Sequence, residues 1–447
     1  MNNNEFNKVN WINIFILNNF QKFFNLKELQ DLSKISKLTR LKLKSSIFKY
    51  IRLVNKSKYL NGTFVKSFNS KSFDEISRVA YMDGDEVQKS VRIQKSLNDI
   101  NSELQDIKHL ANNLHMYDVM RSGYYICPIL NNFANLSSLM IRSSTIPYSI
   151  FQKLGEYFPT LKTIELYNIV LSKSTTDSPN PNEIIFPLNL TNLMIGCVEV
   201  TDMSILSDPY KMVLNDFNPY ARSNFSLPNI SLPSLKELRF VKCAGWNNGL
   251  EEFLEKNPGL EQLTIDTFNP NMSKRFTSLK SLSLELVNMY ENLQNLIVNH
   301  NIKTLKVNIE DDYYYEKFEK VCLMCPSIEF LHFNVCNIDT YQKAYSNYLI
   351  PILRKLPNLK TLELPIYAED PIQIDVDDFP QIKKIIFVTD DVRNLQVYFD
   401  GNPSLQQIEF ISASYDICEE DIWDKYGHCS GWRFKFYEKK VIGYIVY

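Results

Sequence analysis

Cys322 and Cys325 form a CxxC, Cys336 follows a short way downstream, and His332 lies between them. Thiolates and imidazole are the ligands of tetrahedral zinc, and CxxC is also the spacing of redox dithiols. No second CxxC stands at zinc-ribbon spacing to complete a ligand set. Near the C-terminus Cys418, His428 and Cys429 make a looser group of three with no fourth partner nearby. Asp375, Asp377 and Asp378 could meet a cation, but they lack the Gly turn and ligand spacing of an EF-hand, so a solvated loop is expected. The other histidines, His109, His115 and His300, are scattered, and no GxSxG, HExxH or Gly-rich phosphate loop occurs. The expectation is a chain that is not an enzyme, with no catalytic, metal or cofactor site.

The elements around these cysteines supply a plainer explanation. CPSIEFLHF places apolar Ile328, Leu331 and Phe333 at relative positions 1, 4 and 6. FPTLKTIEL repeats the pattern with Leu161, Ile164 and Leu166, and LPSLKELRF with Leu235, Leu238 and Phe240. NPGLEQLTI, LPNLKTLEL, FPQIKKIIF and NPSLQQIEF do the same, and copies without the Pro begin at Leu136, Leu190, Leu279 and Ile302. The eleven first positions are 25, 29, 45, 25, 19, 23, 26, 31, 23 and 23 residues apart; the step of 45 suggests a degenerate unit around KMVLNDF. This is the leucine-rich-repeat pattern. Positions 4 and 6 point the same way from a short strand, which cannot bury that side alone; stacked strands bury it in one continuous core. YSIFQKLGEYFP, GLEEFLEKNP, YEKFEKVCLMCP, YLIPILRKLP and VRNLQVYFDGNP fill the outer slot as predicted helices, each stopped by a Pro that resets the chain for the next strand. Cys336 and Cys243 then take relative position 9 as small buried residues, Cys322 and Cys325 fall in the last turn of a helix, and His332 faces the open side of the sheet. The predicted fold class is α/β: a leucine-rich-repeat solenoid over residues 56–414, parallel strands inside and helices outside in a horseshoe, with a C-terminal cap over 415–447.

Composition narrows the function classes. There are 447 residues, with 49 Lys plus Arg against 51 Asp plus Glu. Near-balanced charge gives no reason to expect nucleic acid or an anionic membrane as partner. No apolar run approaches the roughly 18 residues that span a bilayer, and the N-terminus has neither the basic start nor the small-residue cleavage site of a signal peptide. Eight cysteines are ordinary usage for a reducing compartment, so a cytoplasmic or nuclear location is expected.

Residues 1–55 lack the repeat and read as short amphipathic helices. Glu28-Leu29, Leu32-Ser33, Ile35-Ser36-Lys37 and Arg40, followed by Ile47-Phe48, Ile51 and Leu53, resemble an F-box, although Asn10 to Phe15 stand where that motif carries Leu-Pro. An F-box followed by leucine-rich repeats is similar in layout to the substrate receptors of SCF-type ubiquitin ligases. The resemblance implies that Trp11, Phe15, Leu26, Leu29, Leu32 and Ile35 dock a Skp-type adaptor tethered to a cullin ligase, while the repeat sheet holds a protein substrate. The alternative is a stand-alone interaction scaffold of the ribonuclease-inhibitor type, in which the same helices only cap the first repeat.

The residues between the inward leucines, relative positions 2, 3, 5 and 7, are expected on the open face. Early units put Arg142, Lys162, Glu165, Tyr167, Arg239 and Asp266 there. The last two units put Ile386, Val388 and Ile411 there, an apolar patch with Lys383, Lys384 and Glu409 as its polar rim and the expected substrate-docking site. The competing expectation is that the tail, with Tyr444, Ile445 and Val446, folds over the patch.

Overall fold

The structure is a computed structural model. It describes residues 17–54, 85–174, 181–202, 222–241, 249–289, 297–309 and 315–446, with short pieces at 14, 67–68, 75–76 and 79, and without the positions 269, 336–340, 368–370, 380, 400, 414–415, 428 and 430. The chain divides into two compact units, one of residues 1–235 with 242–249, the other of 236–241 with 250–447.

The first unit opens with helices at Asn18–Gln21, Leu26–Ser33 and Lys37–Ile47. Two capping boxes start the longer pair. Asn25 accepts from the Glu28 amide at 3.0 Å while the Glu28 carboxylate accepts from the Asn25 amide at 2.7 Å, and Ser36 and Thr39 exchange the same bonds at 3.1 and 3.0 Å. Each box satisfies amides that a helix start leaves orphaned. The chain then enters a sheet through β1 (Tyr50–Val54), inside the stretch read from sequence as helical. β2 (Ser67–Phe68) and β3 (Asn113–Met120) flank β1 in parallel, and β4 (Ser138–Pro147), β5 (Thr163–Lys173) and β6 (Asn192–Asp202) follow in chain order. A short β7 (Arg222–Asn224) runs antiparallel to β6. Residues 211–217, where a degenerate repeat was expected, lie outside the described residues.

Ladder partners of equal rank bury together: Ile51 with Leu114, Leu139, Ile164 and Leu193, then Leu53 with Met116, Ile141, Leu166 and Ile195. Two of these repeats, on Ile51/Leu53 and Leu114/Met116, precede the first copy found by pattern. β4 and β5 exceed the repeat's short strand because each carries one left-handed residue, Ser143 (φ 47°) or Asn168 (φ 56°); Cys197 (φ 52°) does this in β6, and β3 carries two, Asp118 (φ 53°) and Met120 (φ 45°). Inserting one residue re-phases the alternation, so Ile146 and Leu171 also point inward. A second departure is the helix Glu86–Leu104, started by Asp85 and buried along Ile93, Ile100 and Leu104.

The second unit stacks β8 (Glu237–Val241), β9 (Gln262–Phe268), β10 (Ser281–Met289), β11 (Thr304–Ile309), β12 (Phe330–Val335) and β13 (Thr361–Ile366) in parallel and in chain order. Leu238, Leu263, Leu282, Leu305, Leu331 and Leu362 form one buried row. The helices expected at Leu250–Lys256, Tyr315–Met324 and Ile350–Leu353 are present. The one expected from VRNLQVYFDGNP is not. Val392–Asn394 makes a single turn, and Leu395–Tyr398 is a strand, β16, paired in parallel with β14 (Ile372–Asp375) in a separate two-stranded sheet. Leu395, Val397 and Phe399 alternate, and that period of two decides for a strand.

β15 (Lys384–Thr389) and β17 (Gln407–Ser412) complete the parallel run. Between them Asn402 shows what the Asn-Pro lead does. Buried to 4% exposure, its amide donates to the carbonyls of Val376 (2.8 Å) and Phe379 (3.0 Å), and its oxygen accepts from the amides of Ser404 (2.9 Å) and Leu405 (3.2 Å). One side chain thereby satisfies the backbone of the turn that sets up β17. After the helix Glu419–Tyr426, β18 (Trp432–Tyr437) and β19 (Lys440–Ile445) form a hairpin whose β19 pairs antiparallel with β17. Each unit is an α/β stack of leucine-rich repeats, and this hairpin ends the second.

Candidate functional site

The cysteines that opened the question are buried where they are described. Cys322, in the helix Tyr315–Met324, and Cys325, just after it, are fully buried. Burial pushes the Cys325 thiol up to about 12 and the Cys322 thiol well above its ordinary range. Cys243 and Cys336 lie outside the described residues, as does His428; Cys418 is exposed and Cys429 buried. His332 is on the open face as expected, with Nδ1 3.3 Å from the Glu363 carboxylate. Asp375 accepts from the Asp377 amide at 3.0 Å and so caps the turn Val376–Asp378. Tyr315 begins its helix and stacks on Tyr348 at 4.0 Å. Among the described residues no three His, Cys, Asp or Glu side chains are grouped to hold a metal ion, and no helix is long and apolar enough to cross a membrane.

The open face of the second unit is more informative. The register sets His332, Glu363, Ile386, Glu409, Ile442 and Lys435 in one row across β12, β13, β15, β17, β19 and β18. Pro365, Val388, Ile411, Lys440 and Tyr437 make the next row. Ile386, Val388 and Ile411 are therefore neighbours, each half-buried, and Ile442 joins them. Two of the expected rim residues sit elsewhere. Lys383 precedes the strand and is out of phase with 384, 386 and 388, so it does not share their face. Glu409 is not at a rim: it is 3% exposed, in the middle of the patch. Its carboxylate accepts from Lys384 at 2.7 Å, from Lys440 at 2.8 Å and from the Gln407 amide at 2.6 Å. Burial pulls its pKa up, and the two lysine bonds outweigh that and hold it below the ordinary 4.5. The tail does not lie over the patch either. β19 sits beside β17 in the plane of the sheet, with Tyr444 opposite Gln407 and Val446 exposed, so the tail enlarges the face. Sequence reasoning missed Ile442, Gln407 and Lys440; the alternation of KVIGYIVY carried the signal, but not the strand beside which it pairs.

Of the earlier polar positions, Arg142 and Glu165 are ion-paired and Tyr167 lies beside Arg142 on the first unit's open face. Arg239 pairs with Glu285 at 2.6 Å in the second unit. Lys162 precedes its strand, and its carbonyl carries Thr191 and Asn192. Asp266 is half-buried in β9.

The N-terminal helices distribute the expected adaptor-binding set unevenly. Trp11 and Phe15 lie outside the described residues, and Leu26 begins its helix. Leu29 is buried with Leu43 and Ile47, and Leu32 packs on the same small core with Phe24 and Phe48. These two are committed inward, because a helix of only eight residues must bury its apolar stripe to persist. Ile35 is 57% exposed, and two residues outside the expected set, Leu38 (48%) and Leu41 (68%), are exposed with it. Leu41, Ile47 and Phe48 line a hollow of about 680 Å³ whose charged lining is Lys34, Lys37, Arg40 and Lys44.

No protein-family model and no curated protein matches this chain. Among solved structures it is similar to an internalin, inlF, from Listeria monocytogenes, at 14% identity and a TM-score of 0.35 over 73% of this chain and 90% of that one. It is also similar to a TLR13–ssRNA13 complex, at 14% identity and a TM-score of 0.32 over 71% of this chain and 57% of that one. Likenesses this distant carry no argument about what the chain binds.

Proposed function

We propose that this chain is a non-catalytic receptor that binds a protein partner on the open face of its last repeats. The observation that carries the reading is the patch of Ile386, Val388, Ile411 and Ile442 around a buried carboxylate clamped by Lys384 and Lys440. Half-buried apolar side chains on a solvent-facing sheet lose water only when a partner covers them, and a fixed ion cluster inside the patch gives that partner a register. Changing Ile386 and Ile411 together to Asp is expected to remove the proteins that co-purify with the chain, by at least about 100-fold for two buried contacts at roughly 1.5 kcal/mol each. The unfolding midpoint should stay put. Unfolding of the last repeats by the double change would make the patch core and refute the site.

The N-terminal helices support a more specific version, in which the receptor serves an SCF-type ubiquitin ligase. Ile35, Leu38 and Leu41 are exposed on a segment too small to spend three large apolar side chains on water, and their place coincides with the F-box resemblance. In this reading a Skp-type adaptor and its cullin dock there, and the chain works in the cytoplasm or nucleus. Deletion of residues 1–55 is a poor test because it removes β1, whose Ile51 and Leu53 are core. The expected result is that purified Skp-type adaptor binds the intact chain and that Ile35→Asp with Leu41→Asp abolishes this. An intact chain that ignores the adaptor is the stand-alone scaffold.

A further inference from the structure

The open face of the first unit has a different chemistry. Arg52 on β1 lies alongside His115 on β3, and Tyr117, two residues on from His115, lies alongside Arg142 on β4. The Arg52 guanidinium sits 5.6 Å from the centre of the Tyr117 ring. The Tyr50 hydroxyl hydrogen-bonds the His115 ring, and the two rings meet edge to face at 4.5 Å. Arg142 is bound to Glu165 through both Nε and a terminal nitrogen. Arg52 has no such carboxylate: among the described residues it makes no ion pair, and its buried Nε has no hydrogen-bond acceptor. A half-buried guanidinium with an unanswered donor is costly and is normally paired. His115 reports the same local field. Burial first, then Arg52 and Arg142, hold its pKa down to about 4, so it stays neutral and adds no charge of its own.

We infer that this face is a second docking site, in which Arg52 receives an anionic side chain, carboxylate or phosphate, of a partner peptide, with the Tyr117 ring and the Tyr50–His115 pair as its walls. The planar guanidinium fork matches either anion bidentately, and the ring fixes the fork in place. A peptide fits better than a nucleic acid. A run of phosphodiesters would have to pass Glu165 on the same face, and the tyrosine rings pack half-buried instead of offering flat stacking platforms. The site lies in the other unit from the apolar patch and does not depend on it.

The test uses the full chain and three fluorescent decapeptides in a Gly-Ser background, carrying at the centre three Glu, one phosphoserine or three Gln. Anisotropy is expected to show the Glu or the phosphoserine peptide binding about 10-fold or more tighter than the Gln peptide, the scale of one charge-assisted fork. The two anionic arms tell carboxylate from phosphate. The preference should vanish in Arg52→Met and survive in Ile386→Asp with Ile411→Asp, which separates this site from the patch. Should Arg52→Met fold poorly, phenylglyoxal footprinting of the unaltered chain replaces it: the preferred peptide should slow modification of Arg52. Equal binding of all three peptides, a preference that persists in Arg52→Met, unchanged Arg52 modification, or tight Arg52-dependent binding of oligo(U) RNA in place of peptide would each overturn the assignment.

Discussion

Phe410→Ala is expected to cost about 4 kcal/mol, the usual toll of emptying a large aromatic site in a core. Phe410 is fully buried in β17 and stacks on Phe387 of β15 at 5.7 Å and on Tyr426 of the last helix at 5.2 Å. Tyr426 is itself fixed by its hydroxyl, which donates to the Leu395 carbonyl at 2.9 Å. The ring therefore joins the parallel run, the outer strand β16 and the helix that leads into the terminal hairpin. Repeat arrays unfold regionally, so the readout is hydrogen exchange of the β15, β17 and β19 amides. These should lose protection together while β3 to β5 keep theirs. A loss below about 1 kcal/mol would mean that the site collapses without a cavity and that the stacked core is misjudged.

Glu409→Gln should cost about 2 kcal/mol at neutral pH, because it leaves Lys384 and Lys440 facing a neutral amide in a nearly dry site. The lysines are 30% and 37% exposed and recover some hydration, which keeps the cost below that of a fully buried pair. The pH dependence has a definite sign. The folded pKa of Glu409 lies below its ordinary 4.5, so the unfolded chain takes up the proton first. The stabilisation is complete above about 4.5 and is lost as pH falls through the lower folded value. Wild type and Glu409→Gln should converge in acid, and a gap that persists unchanged there would mean that shape, and not charge, sets the cost.

The inward leucines were legible because a period of two on a short strand survives any neighbour. The repeats at Ile51 and Leu114 were hidden by their company: Arg52 interrupts the apolar look of the first, and in the second His115 does the same while Met116 replaces the usual aliphatic. The outer strand β16 was misread because Leu395, Val397 and Phe399 sit in a slot that other repeats fill with helix, and analogy between repeats overrode the local alternation. Glu409 shows a different limit. Its outward position was correct, but its burial comes from Lys384 and from Lys440, a residue far along the chain whose strand pairs antiparallel, and no local pattern encodes that pairing. Leu29 and Leu32 were placed on a docking surface by motif spacing, whereas a helix this short must first satisfy its own core.

The most direct measurement of the central claim is site-specific photo-crosslinking. p-Benzoylphenylalanine is placed at position 388 in the patch or at position 323, where Leu323 is 45% exposed on the outer helix Tyr315–Met324. Each chain is irradiated in cell extract. A receptor that works through the open face of its last repeats should give one discrete protein adduct from position 388, lost when Ile411→Asp is added, and none from position 323. Equal adducts from both positions, or an adduct from 323 alone, would contradict the account.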